Sequence, residues 1–318
     1  MITTLLVIVL GLAAAAIGLV TLSRVRAARL EYRFERAGRD VEVDGGTLNV
    51  VEIGDAGAEG PPIVLVHGAG ANLLDLKVSL GDRLAKDRRV ILVDRPGHGW
   101  SPRIEREDIA TPEGQAILLN QALGRIGIEK PIMVGHDWGG ALALSYALSF
   151  PEEVAAVVAI APVSHRGRRR ASLVDRLCAA PYSGRIVAEI LAPAWGPVAQ
   201  KQALARSFSP QAVPSDYAEG VAAPLALRPA TFRANAQDLV ALDRFLDDQS
   251  VYYGQIATQL VVLTGDADGV AAPASHAEKL ASEAQNSRLV VLNDVGHMAH
   301  HSSPNVIAFE INRLAERL

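Results

Sequence analysis

Cysteine is almost missing from this 318-residue chain, and the single Cys178 excludes an internal disulfide and a cysteine-built metal cluster. Aromatic residues make up only 5% of the sequence, so a buried pocket has to be walled mainly by aliphatic side chains. No excess of basic charge exists either: 31 Lys and Arg stand against 35 Asp and Glu, a net charge of −4. With an isoelectric point near 6.1, nothing points to nucleic acid as a partner. Internal repeats and low-complexity tracts are lacking, and no metal or cofactor is implied. What remains is enough chain for one large α/β domain with an inserted lid.

Charge is also absent from Ile2 to Leu22, about 21 residues. That run is long enough to cross the ~30 Å hydrocarbon core as one helix. The expectation is a membrane anchor over residues 1–23. A cleaved signal peptide is the rival, but the basic leading region is missing and the apolar run is long for one. Arg24, Arg26, Arg29 and Arg33 follow at once in a basic juxtamembrane segment, residues 24–40. By the positive-inside rule they place the remaining domain in the cytoplasm, on a single-pass membrane protein.

From Val41 on, short apolar runs alternate with helical patterns, the signature of a mostly parallel sheet covered on both faces. Strands are expected at Thr47–Ile53, Ile63–Val66, Val90–Val93, Ile132–Val134, Val154–Ile160, Leu260–Thr264 and Leu289–Leu292. Between Ser164 and about Gln255 the strand signal gives way to helical segments broken by prolines, among them Pro193 and Pro197. The expected organisation is an α/β core over residues 41–163 and 256–318, with a helical lid over 164–255. Cys178 reads as a small buried residue of that lid.

Gly135-His136-Asp137-Trp138-Gly139-Gly140 carries the most information. A short strand precedes it and a helical run follows, the setting of a strained strand-to-helix turn that exposes its central side chain. The glycines at 135 and 139 permit close backbone approach. Most such elbows present serine; this one presents Asp137. A carboxylate nucleophile can displace a leaving group from an sp3 carbon, giving an alkyl ester that water then splits. On an ordinary ester it would have to form an anhydride. Asp137 therefore favours epoxide or carbon–halogen substrates.

The partners such a nucleophile needs follow in order. His297, after Gly296 and the last strand, is placed as the base that activates water; His300 and His301 stand close by as competitors. Asp268, in Gly265-Asp266-Ala267-Asp268, is chosen over Asp266 to orient His297. His67-Gly68-Ala69-Gly70 suits an oxyanion loop, with the N–H groups of Ala69 and Trp138 as its donors. His67 itself reads as a packed loop residue. In the turn Asp94 to Ser101, Asp94 and Arg95 are expected to pair.

Taken together, these motifs resemble the α/β-hydrolase superfamily over about Val41 to Leu318. The Gly-His-Asp-Trp-Gly-Gly elbow is similar to that of epoxide hydrolases and haloalkane dehalogenases. That resemblance implies an α/β-hydrolase fold with Asp137 as nucleophile, Asp268 as acid and His297 as base. Epoxide opening to a vicinal diol is the first implied activity, and dehalogenation is the second. Epoxide hydrolases usually carry His-Gly-x-Pro where this chain has His67-Gly68-Ala69-Gly70. They also protonate the opening oxygen with lid tyrosines, for which Tyr182, Tyr217, Tyr252 and Tyr253 are candidates here. Dehalogenases hold halide with the tryptophan after the nucleophile, here Trp138, and a second donor such as a lid tryptophan, for which only Trp195 stands. Apart from Asp137 the chain also resembles membrane-anchored serine hydrolases, and a ligand-binding relative without catalysis is a fourth reading. The basic run His165 to Arg170 and apolar lid segments such as Ile186 to Ala194 suggest lipid headgroups nearby and a small lipophilic substrate. Nothing in the sequence fixes an oligomeric state.

Overall fold

The computed structural model describes residues 2–167 and 171–318. Helix α1 (Ile2–Arg33) comes first, then the strands β1 (Arg39–Val43), β2 (Gly46–Ile53) and β3 (Ile63–Val66). Short helices α2 (Leu73–Leu76) and α3 (Asp82–Leu84) lead to β4 (Val90–Val93), α4 (Pro112–Arg125), β5 (Ile132–His136), α5 (Trp138–Ser149) and β6 (Ala156–Ile160). Between β6 and the next strand lie α6 (Leu173–Ala179), α7 (Gly184–Phe208), α8 (Tyr217–Gly220) and α9 (Pro229–Ser250). The chain closes with β7 (Gln259–Gly265), α10 (Ala277–Glu283), β8 (Ser287–Leu292), α11 (Ala299–Ser302) and α12 (Pro304–Ala315).

These strands form one eight-stranded sheet in the order β1-β2-β4-β3-β5-β6-β7-β8. Strand β2 runs antiparallel to both its neighbours, β1 and β4, and every pairing from β4 to β8 is parallel. The inner strands β3, β4, β5 and β6 are buried at every position, which is why they read as unbroken apolar runs instead of alternating ones. Separate apolar cores pack the two faces, one against α4, α5 and α10, the other against α2, α3 and α12. Open parallel sheets build their sites beyond the carboxyl ends of the strands.

The structure departs from the sequence reading in several places. Strand β1 begins at Arg39 and Asp40, placed in the juxtamembrane segment, and runs into residues where no strand was expected; its alternation spans only five residues, with Val41 and Val43 buried. Helix α7 runs through Pro193 and Pro197 instead of breaking there. A proline inside a helix removes one backbone hydrogen bond, but α7 buries Ala188, Ala192 and Gly196, and its packing against α1 and α9 outweighs that loss. Cys178 is buried in α6 as expected.

The N-terminal segment also differs. Among the described residues no helix is long and apolar enough to cross a membrane. The expected anchor falls partly on residues of α1 whose side chains lie outside those described, as do Arg168, Arg169 and Arg170 of the basic run. Three of the arginines after the apolar stretch contact α7 and α8. Arg24 pairs with Glu189 of α7 at 3.5 Å, Arg26 donates to the Pro193 carbonyl at 3.0 Å, and Arg33 pairs with Glu219 of α8 at 2.6 Å.

Candidate active site

Asp137 stands between the end of β5 and the start of α5, with φ 51° and ψ −115°. A residue with a Cβ is rarely held there, and strain of this kind collects at functional sites. Close packing enforces the turn: a Cβ on Gly135 would lie 2.0 Å from the Gly139 carbonyl oxygen, and one on Gly139 would lie 2.3 Å from that of Val66. The turn thus presents the Asp137 side chain beyond the sheet edge, at the amino end of α5, where the helix dipole favours a negative charge.

Three chain segments converge on it. Asp268 follows β7 and His297 follows β8. Backbone bonds stitch their two loops together, from Asp266 N–H to Leu292 at 3.0 Å and from Ala267 N–H to Val295 at 3.1 Å. His297 Nδ1 lies 2.8 Å from Asp268 Oδ2, and its Nε2 lies 3.5 Å from Asp137 Oδ1. Asp268 Oδ1 accepts from the N–H groups of Val270 and Ala271 at 2.7 and 2.9 Å, so its carboxylate is fixed from both sides. Asp266 is exposed while Asp268 is buried. The histidine loop therefore meets the second of the two carboxylates.

Burial presses the His297 imidazolium down, but hydrogen bonding to Asp137 and Asp268 outweighs it and holds the ring at about 9. At neutral pH the resting site is thus an imidazolium between two carboxylates. Ala69 N–H donates to Asp137 Oδ2 at 2.9 Å. Trp138 opens α5, so its N–H is among the first-turn amides that have no partner within the helix. His67 is buried, accepting from Arg95 N–H at 3.0 Å, and serves the loop as packing.

A profile of the α/β-hydrolase fold matches residues 61–304. The chain belongs to this family. Among curated relatives, the hydrolase is 37% identical over 126 residues to the dihydrolipoyllysine-residue acetyltransferase component of the acetoin cleaving system of Pseudomonas putida, covering 39% of this chain and 32% of the relative. It is 30% identical over 119 residues to bifunctional epoxide hydrolase 2 of Sus scrofa, covering 36% and 20%. The matched stretch spans less than two thirds of either relative. Among solved structures, a membrane phospholipase A, a bacterial virulence factor, superposes with a TM-score of 0.68 at 20% identity, over 99% of this chain and 98% of that one. Identity that low shows a shared fold alone.

Above Asp137 of the hydrolase lies a cavity of about 310 Å³ whose lining includes Asp137, His297 and Ala69 from the core and Trp195, Leu204, Val221 and Phe232 from the lid. A second cavity of about 210 Å³ meets Asp137 on the Trp138 side and is lined by His276 and Asp243. Of the four tyrosines proposed as proton donors, only Tyr217 lines the larger cavity, and neither cavity includes the others. Tyr182 is 97% exposed and Tyr252 half exposed. Tyr253 is buried with its hydroxyl donating to the Ser164 carbonyl at 2.6 Å. The Tyr217 hydroxyl itself donates to Asp75 Oδ1 at 2.9 Å. Burial, and then the charge of Asp75, lifts that phenol well above its usual range.

Two polar arrangements escaped the sequence. Arg95 does not pair with Asp94. Its guanidinium meets Asp238 of α9 at 2.8 Å and lies 4.0 Å from the centre of the Trp138 ring, while Asp94 accepts from the N–H groups of Leu73 and Trp100 at 2.8 Å. The lid is thereby tied to the floor of the site. Asp75, His300 and His301 also come together behind the cavity, which only Asp75 of the three lines, and they are the one group of the described residues with side chains disposed to hold a metal ion. Neighbouring histidines in the sequence hint at this; nothing there pointed to Asp75.

Proposed function

We propose that this hydrolase opens epoxides to vicinal diols through an alkyl ester on Asp137. The observation that carries the reading is the Asp137 carboxylate at a strained elbow, with His297 Nε2 3.5 Å from Oδ1 and Ala69 N–H on Oδ2. Oδ1 attacks the epoxide carbon in line with the breaking C–O bond, and Oδ2 becomes the ester carbonyl. Esterification removes one of the two charges that hold His297 protonated, so its pKa falls, the ring gives its proton up to solvent, and it turns from an imidazolium into a base. The neutral ring takes a proton from water, the hydroxide equivalent adds to the ester carbon, and the oxyanion forms on the oxygen already bonded to Ala69 N–H. Collapse of that centre expels the alkoxide, which takes the proton from the His297 imidazolium, so the diol leaves and the carboxylate returns. Tyr217, the candidate tyrosine that lines the cavity, would give its proton to the opening oxygen, and the aliphatic cavity suits a small lipophilic substrate.

Dehalogenation is the second reading, favoured by Trp138 Nε1, which is buried without a hydrogen-bond partner and would donate to a departing halide. Intact mass of a His297→Gln variant after exposure to epoxides and haloalkanes decides between them, because removing the base leaves the ester on Asp137. Gain of a whole epoxide mass supports the first reading, and gain of an alkyl group with halide release supports the second. No adduct from either panel overturns the aspartate nucleophile and leaves the serine-hydrolase relative or the ligand-binding protein ahead.

We also propose that the apolar run Ile2–Leu22 holds the protein at a membrane, with the hydrolase domain on the cytoplasmic side. The support is the absence of charge over about 21 residues, together with the exposure of Leu6, Val7, Leu10 and Ile17 on α1. Extraction of cell membranes with alkaline carbonate is expected to leave the full chain in the pellet, and release into the supernatant would sink the proposal.

A further inference from the structure

Asp75 sits on α2, directly after the oxyanion loop, and His300 and His301 sit on α11, 225 and 226 residues later. Packing α11 against the start of the chain's α/β core brings His300 Nε2 to 2.9 Å from Asp75 Oδ2 and His301 Nε2 to 2.7 Å from Oδ1. The two imidazole rings are 4.6 Å apart, and the three ligand atoms lie within 4.8 Å of one another. Asp75 and His300 are buried and His301 nearly so, while Asp75 reaches the wall of the larger cavity.

We infer that Asp75, His300 and His301 form a binding site for a divalent transition metal ion of the zinc class. Two imidazole nitrogens and one carboxylate oxygen converging in a buried cluster are a ligand set suited to such an ion, and the Tyr217 hydroxyl, 2.9 Å from Asp75 Oδ1, stands beside them as a fourth oxygen. Zinc bonds of about 2.0–2.2 Å in a tetrahedral arrangement set ligand atoms a little over 3 Å apart. The two hydrogen-bonded contacts, at 2.9 and 2.7 Å, need to open slightly, and the remaining separations, all within 4.8 Å, need to draw to the same value.

A second observation points the same way. The ionised Asp75 can only accept, so His300 donates from Nε2, and its Nδ1 is a buried lone pair with no partner. His136 shows the mirror condition. Its Nε2 lies 3.1 Å from the His297 carbonyl, which also only accepts, and this leaves His136 Nδ1 as another buried lone pair without a partner. The rings of His136 and His300 are 4.1 Å apart. An ion on His300 Nε2 moves that proton to Nδ1, with no net loss, and turns one of two adjacent orphan acceptors into a donor. Metal-bound histidines ordinarily give their second N–H to a neighbouring acceptor.

The test uses the full chain, stripped with a chelator and titrated with zinc alone, by calorimetry and by competition with a chromogenic chelator. One equivalent is expected to bind. His300→Gln and His301→Gln, which keep a hydrogen-bond donor for Asp75 while removing the imidazole, should each weaken binding by about a hundredfold or more. Asp137→Asn should bind like the wild type. Cobalt in the wild-type protein should give the intense visible bands of a four-coordinate site, a readout independent of whether any variant folds. Absence of stoichiometric zinc binding overturns the inference. Loss of binding in Asp137→Asn with retention in His301→Gln also overturns it, because the ion then belongs to the catalytic centre.

Discussion

At the scale of single residues, the chemistry of this hydrolase turns on how His297 is held. Burial disfavours its charge, yet two flanking carboxylates keep it at about 9, above the ordinary 6.5. The raised pKa contributes stability that is fully present below about 6.5 and is lost as pH rises through about 9. If Asp137 supplies part of that field, Asp137→Asn lowers the His297 pKa by a unit or more, on the order of 1.4 kcal/mol per unit. Titration of the imidazole by NMR reads this directly, and an unchanged value would mean that Asp268 alone holds the proton. Tyr217 makes a contrasting case. Its hydroxyl proton is directed at Asp75, so Asp75→Asn, which weakens that acceptor, should raise turnover of an epoxide relative to Tyr217→Phe, which removes the donor. Measured kcat values for the two variants check it; equal losses would exclude Tyr217 as the proton source.

Among the elements, α9 ties lid to core through buried charge. Asp238, fully buried on that helix, meets Arg95 and Arg103 at 2.8 Å each, and Gln115 donates to it as well. Removing one partner of a buried ion pair leaves the others uncompensated. Asp238→Ala is therefore expected to cost about 3–5 kcal/mol, read as a fall in the urea midpoint. The exposed pair Arg33–Glu219 between α1 and α8 should differ sharply, with Glu219→Ala costing no more than about 1 kcal/mol. A loss at Asp238 no larger than that would show the lid to be held by its apolar contacts instead. Most of the strands were legible from the sequence, because buried parallel strands bounded by turns write themselves as short runs of Val, Ile and Leu. The five-residue β1 and the uninterrupted α7 were not. One is too short for its alternation to show, and the other keeps its helical course through packing that no local rule contains.

Across the whole molecule, an unusual share of the eight histidines is buried and neutral. Burial drives His67 to about 3 and His276 to about 4, and drives His98 and His136 well below 6.5. In the unfolded chain each binds a proton near 6.5. Stability from these groups is present above that pH and is lost as pH falls from about 6.5 toward their folded values. Asp94, pushed up to about 6 by burial, opposes the trend between its ordinary value and that pH. The melting temperature should accordingly drop on acidification from pH 6.5 to 4 and again, less steeply, above pH 8 as His297 deprotonates. Calorimetry across that range checks the curve; a midpoint that stays flat down to pH 4 would show that these histidines are protonated in the native state.

The sequence by itself determined most of the sheet, the elbow at Asp137 and the loops that bring Asp268 and His297 to it, because strand–turn–helix signals are local and each lies within a few residues of the side chain it presents. Which of four tyrosines reaches the cavity and which acid balances Arg95 were decided only by tertiary structure. So was the meeting of Asp75 with His300 and His301. Each depends on segments far apart in the chain being packed against one another, and the identity of a partner across such a distance is set by the direction of helices and loops rather than by any spacing along the sequence.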